Sequence, residues 1–126
     1  MAGYRAKRIA ELIHRELVER LRREVKDPRV TMISITSVEV TPDLREARVL
    51  YLPFGGGGDS DELAEGLKSA ARQLRGPIGR ALRLRHSPEI SFQFDAQHEE
   101  AIRVNQLLDT LARERADREP EDEEGA

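Results

Sequence analysis

The stretch KSAARQLRGPIGRALRLRHSPEISFQFD, residues 68–95, contains the two patterns that decide the fold. Its first half places apolar side chains at three- and four-residue steps, which is the spacing of one face of an amphipathic helix. Its end alternates apolar and polar residues, with Ile90, Phe92 and Phe94 on one side, as in a strand that is buried on one face. A helix that leads into such a strand predicts helices packed against one face of a sheet.

Gly76-Pro77 interrupts the apolar stripe of this helix. Because proline lacks the amide donor and its ring clashes with the preceding turn, we expect a helix, a kink and a second helix. Gly76-Pro77-Ile78-Gly79 also has the form GxxG, which in some RNA-binding loops allows close approach to the phosphodiester backbone. In a chain with nine glycines, this match is weak evidence by itself.

The first part of the chain has the pattern of another amphipathic helix, from about Tyr4 to Lys26. Arg8 and Arg15 fall seven residues apart, so they are expected to line the same flank of that helix. Asp27-Pro28 should end the helix, since proline pushes the residue before it toward extended geometry.

Two segments rich in β-branched residues follow, VTMISITSVEVT (30–41) and ARVLYLPF (47–54), and both are typical of strands. In the first segment the alternation changes parity near Thr36-Ser37, which a β-bulge would reconcile. The connection from Thr41 to Glu46 contains proline and aspartate and predicts the turn of an antiparallel hairpin. GGGGDSD (55–61) is expected to be a flexible connector.

After the last strand, Asp95 can cap a final helix. The buried side of that helix is expected to contain four apolar residues: Ala101, Val104, Leu108 and Leu111. Residues 114–126 carry seven acids against two arginines, so we expect them to form a disordered acidic tail. The order helix, strand, strand, kinked helix, strand, helix then predicts one α+β domain over residues 1–113, a two-layer sandwich with a three-stranded sheet.

The six basic residues between Gly66 and His86 have no acid among them, although the whole chain has a net charge of −3. A helical surface with one sign of charge is typical of proteins that bind polyphosphate. We therefore predict that RNA phosphates contact the following side chains: Lys68, Arg72, Arg75, Arg80, Arg83 and Arg85. An auxiliary basic edge is expected on the first helix, at Lys7, Arg8 and Arg15. Phosphate contacts position a protein without reading sequence, so specificity would come from the shape of the RNA.

The composition argues against an enzyme and against a membrane protein. The chain has no cysteine and only three histidines, which lack the spacing of a metal site, so we predict no metal, no cofactor and no catalytic residue. No apolar run approaches the roughly 20 residues needed to span a bilayer. These features are typical of a cytoplasmic protein with no membrane partner.

Three alternatives stay open from the residues alone. The basic run could be a solvated helix face with no partner. It could belong to a protein–protein adapter whose basic helix binds an acidic partner, or to a general single-strand RNA chaperone. Nuclease treatment of a pull-down would separate the adapter from an RNA binder, and competition with unrelated RNA would identify a chaperone.

Four motifs, taken in order, resemble the ribosome-binding factor A family. They are DPRV (27–30), TSVEVTPDLREARV (36–49), LKSAARQLR (67–75) and RLRHSPEISFQFD (83–95), and the resemblance runs through about residues 5–108. It implies a K-homology-like fold of the second type, α-β-β-α-α-β, with a mixed three-stranded sheet. It also implies a non-enzymatic assembly factor that binds the immature small (30S) ribosomal subunit and its rRNA. Such a factor assists late maturation of that rRNA at its 5′ end, and we expect it to act as a monomer.

The chain departs from the family pattern at one point. The family usually marks its helix kink with Ala-x-Gly, and here that triplet is Ala70-Ala71-Arg72, with arginine in the place of glycine. We expect the kink either there or at Gly76-Pro77.

Overall fold

The computed structural model describes residues 2–54 and 60–124 of the chain. Its elements are, in order, α1 (Ala2–Arg23), α2 (Pro28–Thr31), β1 (Ile33–Val40), β2 (Glu46–Pro53), α3 (Asp61–Ala81), β3 (Glu89–Phe94) and α4 (Ala96–Glu124). The predicted order of helices and strands is confirmed, with the short helix α2 added after α1. Most of the predicted connector at residues 55–61 lies outside the described residues.

The sheet has the strand order β1-β2-β3 and is mixed. β1 pairs antiparallel with β2, and the register shifts between Ile35 and Ser37, so the predicted bulge is present at Thr36. β2 pairs parallel with β3, which requires the long crossover that α3 supplies.

The turn between β1 and β2 is fixed by side chains as well as by the backbone. The hydroxyl of Thr41 donates to Oδ1 of Asp43 at 2.6 Å, and the amide of Arg45 donates to the same oxygen at 3.1 Å. Leu44 adopts φ 62°, the left-handed conformation that a tight turn requires. The predicted antiparallel hairpin is therefore confirmed.

The core lies between the sheet and the two long helices α1 and α3. α1 packs on β1 and α3 packs on β3, while the two helices also contact each other. The largest fully buried side chains are Ile13, Leu17, Val30, Val49, Leu67, Leu74, Ile78 and Pro88. Ile90 is buried, whereas its neighbours Ser91 and Gln93 are exposed, so the alternation predicted for β3 is confirmed.

α3 continues as one helix through Gly76 and Pro77, where two helices were expected. Pro77 removes one backbone hydrogen bond and its ring crowds the preceding turn, yet the helix continues through it. Leu74 and Ile78, on either side of it, are 0 % and 1 % exposed and hold this part of the helix on the core. The GxxG match is therefore helix and not a loop.

The chain divides into two compact units, Met1–Asp95 and Ala96–Ala126, so the expected boundary after residue 113 falls inside α4. α4 extends to Glu124, and the segment for which a disordered tail was expected is helical as far as that residue. Glutamate, arginine and alanine, which make up most of this segment, are good helix formers.

The apolar side of α4 also differs from expectation. Ala101, Val104, Leu108 and Leu111 were expected to be buried, and all four are exposed. The second unit contains one helix and no other element among its described residues, so nothing described within it can cover these side chains.

Candidate nucleic-acid interface

α3 carries four of the six predicted contact residues, and its ends are defined by local chemistry. The hydroxyl of Ser60 accepts a hydrogen bond from the amide of Leu63 at 3.1 Å and caps the first turn. Asp61 and Glu62 lie in that turn, where the partial positive charge of the helix end favours acids. The basic residues follow toward the other end, where the helix dipole favours cations.

Three of the basic residues share one flank of α3. Lys68, Arg72 and Arg75 are spaced by four and three residues and line a groove of about 330 Å³ between α3 and β3. Glu89, Ser91 and Phe92 of β3 form part of the opposite wall, so one acid borders the groove at its β3 side. These three predicted residues are therefore brought together by the fold.

Arg75 also has a partner inside the protein. Its Nε donates to the carbonyl oxygen of Ser87 at 3.2 Å, in the connection between α3 and β3. The sequence predicted Arg75 as a phosphate contact but gave no sign of this bond, because the bond forms only when the connection folds back on the helix.

Arg80 lies on a different flank of α3, five positions and therefore about 140° beyond Arg75. It shares that flank with Gln73, whose amide nitrogen donates to the carbonyl oxygen of Glu24 after α1, at 3.5 Å. The guanidinium of Arg80 folds back along the helix, since a Cβ placed at Gly76 would lie 3.2 Å from its Nη1. Arg80 is thus separated from the three residues of the groove.

Arg83 and Arg85 belong to the connection between α3 and β3, and both are exposed. Arg83 adopts φ 54°, a left-handed conformation. The amide of Arg83 donates to the carbonyl of Arg80 at 3.1 Å, and the amide of Leu84 donates to that of Gly79 at 2.9 Å. These two bonds form a Schellman motif, which satisfies the last carbonyls of α3.

All six side chains of the segment are exposed, and within residues 2–54 and 60–124 none of them forms an ion pair. An unpaired cation keeps its full attraction for an external anion, whereas a paired one has already used part of it. The charge of this surface is therefore available to a ligand.

The auxiliary residues lie on α1, where Lys7, Arg8 and Arg15 are all exposed. Arg15 stands four residues from both Glu11 and Glu19, so acids on the same helix face reduce its local potential. The structure does not bring these three residues together with the α3–β3 groove.

The open face of the sheet has the opposite character. Glu39, Glu46 and Glu89 line it together with Arg48, and Glu46 lies beside Glu89 in the parallel register. Arg48 is 3.5 Å from the carboxylate of Glu39. An acidic sheet face repels phosphates, so a nucleic acid would bind on the helical side.

The aromatic side chains of the sheet serve the core. Phe92 and Phe94 lie edge-on to Tyr51, with ring centroids 6.4 and 6.2 Å apart, and Tyr51 is 2 % exposed. An aromatic platform that stacks bases is therefore absent from the open sheet face among the described residues.

The residues that the structure describes contain no group of three or more histidine, cysteine or acidic side chains able to hold a metal ion. None of their helices combines the length and the apolar character that crossing a bilayer requires.

Comparison with known proteins identifies relatives over nearly the whole chain. The family described as Ribosome-binding factor A matches residues 5–108. Ribosome-binding factor A of Aromatoleum aromaticum is 40% identical over 120 residues, which cover 95% of this chain and 94% of that protein.

Two solved structures share the fold. The crystal structure of ribosome-binding factor A from Thermus thermophilus superposes with a TM-score of 0.60 at 22% identity, covering 70% of this chain and 93% of the other. A homology model of the Thermus thermophilus factor, fitted into a cryo-electron microscopy map of a 30S complex, gives a TM-score of 0.54 at 23% identity, covering 66% and 87%. The predicted K-homology-like fold is thereby confirmed.

Proposed function

This chain belongs to the ribosome-binding factor A family, and on that premise we propose that it binds the small ribosomal subunit through the cations of α3 and of the connection that follows it. The observation that carries the proposal is the set of six exposed cations without an ion-pair partner in the described residues, on a chain whose net charge is −3. The Thermus thermophilus relative, which was fitted into a map of a 30S complex, supports the choice of partner.

The contact surface is assigned to the unit Met1–Asp95. Lys68, Arg72 and Arg75 would bind phosphates at the groove beside β3, and the remaining residues of the set are Arg80, Arg83 and Arg85. Lys7, Arg8 and Arg15 of α1 would contribute an outer edge. Each phosphate neutralised in this way releases counterions, so affinity should fall steeply with salt.

The role that follows is that of a non-catalytic assembly factor. It would act as a cytoplasmic monomer on the immature subunit and assist late maturation of the small-subunit rRNA, including processing of its 5′ end. No step of that processing is assigned to a side chain of this chain.

Co-sedimentation with separated small and large subunits tests this function. We expect the protein to sediment with small subunits and to be released as salt is raised, with little sedimentation on large subunits. Equal sedimentation with both subunits, or with neither, would contradict the proposal.

Two controls separate the alternative functions. An adapter would keep its partner after nuclease treatment of a pull-down, whereas a ribosomal RNA binder would lose it. A general RNA chaperone would be competed from subunits by unrelated RNA at the same concentration as by ribosomal RNA.

A further inference from the structure

The connection after α3 holds an arginine in a conformation that favours glycine. Arg83 occupies the position just past the helix end in the Schellman motif, with φ 54°. Glycine is the usual residue there, because a Cβ crowds the neighbouring carbonyl in this conformation. The two hydrogen bonds of the motif come from the backbone, so glycine would form them equally well.

The side chain of Arg83 makes no polar interaction inside the described part of the protein that would offset the strain of its left-handed conformation. It is exposed, and in the part of the chain that the structure describes it has neither a hydrogen bond nor an ion pair. A strained residue whose side chain makes no internal contact points to a contact made outside the molecule.

The connection is also held rigidly in place. Gly79 is buried against Ser87, and a Cβ at Gly79 would collide with Oγ of Ser87 and lie 2.7 Å from its Cβ. Arg75 Nε donates to the carbonyl of Ser87, and the amide of Glu89 donates to that of Arg45 at 2.8 Å. The backbone that carries Arg83 and Arg85 is therefore fixed at both ends before any ligand arrives.

We propose that residues 82–88 form a preorganised turn whose Arg83 and Arg85 bind phosphates of the small-subunit RNA directly, with Arg75 acting as a positioning residue. The proposal rests on the proposed function and goes further, because it separates two direct contacts from the more diffuse charges on α3. A guanidinium can bind a phosphate through two parallel hydrogen bonds, and a rigid turn loses little conformational freedom on binding.

The variant Arg83→Gly tests the direct contact. We expect its thermal midpoint to equal or exceed that of the wild-type protein, since the strain is removed, while its affinity for purified small subunits falls at least tenfold. The slope of log affinity against log salt should become shallower by about 0.7 to 0.9, the value for one lost phosphate contact.

Arg22→Gln is the matched control, because it removes one exposed cation from an unstrained position of α1 that lies outside the proposed contact residues. We expect its affinity to stay within threefold of the wild-type protein. Arg85→Gln should resemble Arg83→Gly in affinity. The proposal is overturned if Arg83→Gly loses no more affinity than Arg22→Gln, or if its thermal midpoint falls below that of the wild-type protein.

Arg75→Lys tests the positioning role, with Arg72→Lys as its control. Both variants keep the charge, but only the first removes a guanidinium that contacts Ser87. We expect Arg75→Lys to bind more weakly than Arg72→Lys with an unchanged salt slope, since the number of phosphate contacts stays the same while the turn is less well held. Equal affinities for the two variants would refute the positioning role.

The preference of the wild-type protein for small subunits shows whether a failure concerns this proposal or the function on which it rests. If the wild-type protein prefers small subunits and Arg83→Gly binds equally well, the preorganised turn is refuted and the proposed function stands. If the wild-type protein does not prefer small subunits, the proposed function fails first and the turn proposal fails with it.

Discussion

The basic segment Lys68–Arg85 and the helix α4 both carry several arginines, but they use them differently. In α4, Arg103 lies 3.0 Å from the carboxylate of Glu99 and Arg113 lies 2.9 Å from that of Asp109. In the basic segment, no acid stands between Gly66 and His86, and none of the six cations has an ion-pair partner in residues 2–54 and 60–124. Pairing, and not the number of cations, distinguishes the two.

This difference shows how an acidic protein can present a binding surface for a polyanion. Acids spaced four residues from arginines on one helix stabilise that helix and cancel its external field. When the acids are excluded from a segment, the same arginines do little for the helix and remain available to a partner. Under the proposed function, the distribution of acids therefore decides where the interface would lie.

Charge reversal in the basic segment should have the largest effect on affinity for small subunits. Replacing Arg80, Arg83 and Arg85 by Glu should lower affinity for small subunits at least a hundredfold, because each lost charge-assisted hydrogen bond to phosphate contributes about 1.5 to 3 kcal/mol. The measurement is co-sedimentation across a concentration series, with circular dichroism to check the fold.

The matched control for charge reversal replaces three arginines of α4, Arg103, Arg113 and Arg115, by Glu. It changes the net charge by the same amount, and we expect affinity to change less than threefold. A similar loss from both triple variants would mean that total charge, and not the unpaired surface, controls binding.

Two of the three glycines of α3, Gly76 and Gly79, should respond differently to alanine. Gly79→Ala should lower the free energy of unfolding by about 1 to 3 kcal/mol, the usual range for overpacking, because the new methyl group overlaps Ser87. Gly76→Ala should change it by less than Gly79→Ala does. Beyond its chain neighbours the new Cβ meets only the flexible end of Arg80, and the gain in helix propensity is offset by crowding against the ring of Pro77.

Urea unfolding of both glycine variants measures these changes. No effect from Gly79→Ala, or a loss from Gly76→Ala as large as that from Gly79→Ala, would contradict the close packing that fixes the basic turn on the core.

A paired cation should matter for stability where an unpaired one does not. Arg20 of α1 lies 2.8 Å from Glu16 and 2.9 Å from Glu24, and the hydrogen bond to Glu16 is the main reason that its pKa is raised. Arg20→Gln should destabilise the fold by about 0.6 to 1 kcal/mol, twice the value of one helical ion pair. Lys68→Gln should leave thermal and urea unfolding unchanged. If it destabilised the fold as much as Arg20→Gln, the charge of Lys68 would be engaged within the protein and not available to a ligand.

The smallest expected effect is the pH dependence of the stability that Asp43 contributes, since its carboxylate accepts hydrogen bonds mainly from neutral donors. The Thr41 hydroxyl and the Arg45 amide lower the pKa of Asp43 below its ordinary 3.8. Because the folded state favours the ionised form, Asp43 contributes stability above that ordinary value and loses it as pH falls through the lowered pKa.

Urea unfolding at pH 6 and at pH 3 measures the contribution of Asp43. We expect wild-type protein to exceed Asp43→Ala in stability at pH 6 and the gap to shrink toward pH 3. A stability difference that widens on acidification would contradict a lowered pKa of Asp43 in the folded protein.

The sequence predicted those parts of the fold that local patterns encode. The parity change at Thr36 gave the bulge, the residues Thr41–Glu46 gave the hairpin turn, and the alternation around Phe92 gave β3. Two of the four family motifs, residues 36–49 and 83–95, overlap these segments, and membership in the family is confirmed.

Features that depend on contacts between distant residues were missed. The contact of Gly79 with Ser87 and the bond from Arg75 to the same residue form only when the turn folds back on α3. A continuous helix at Pro77 could not be foreseen either, because burial of Leu74 and Ile78 outweighs a local breaker. The RNA contacts themselves stay predictions.

The parallel ladder between β2 and β3 has a consequence for how the chain folds. Glu46 pairs with Glu89 and Tyr51 with Phe94, so the third strand can dock only after the whole of α3 has been spanned. The β1-β2 hairpin is local and should form earlier, leaving the far edge of β2 without a neighbour while synthesis continues. An emerging chain that stops before β3 would expose a strand edge that invites aggregation. Pulse-labelled hydrogen exchange during refolding should accordingly show the hairpin amides protected before those of β3.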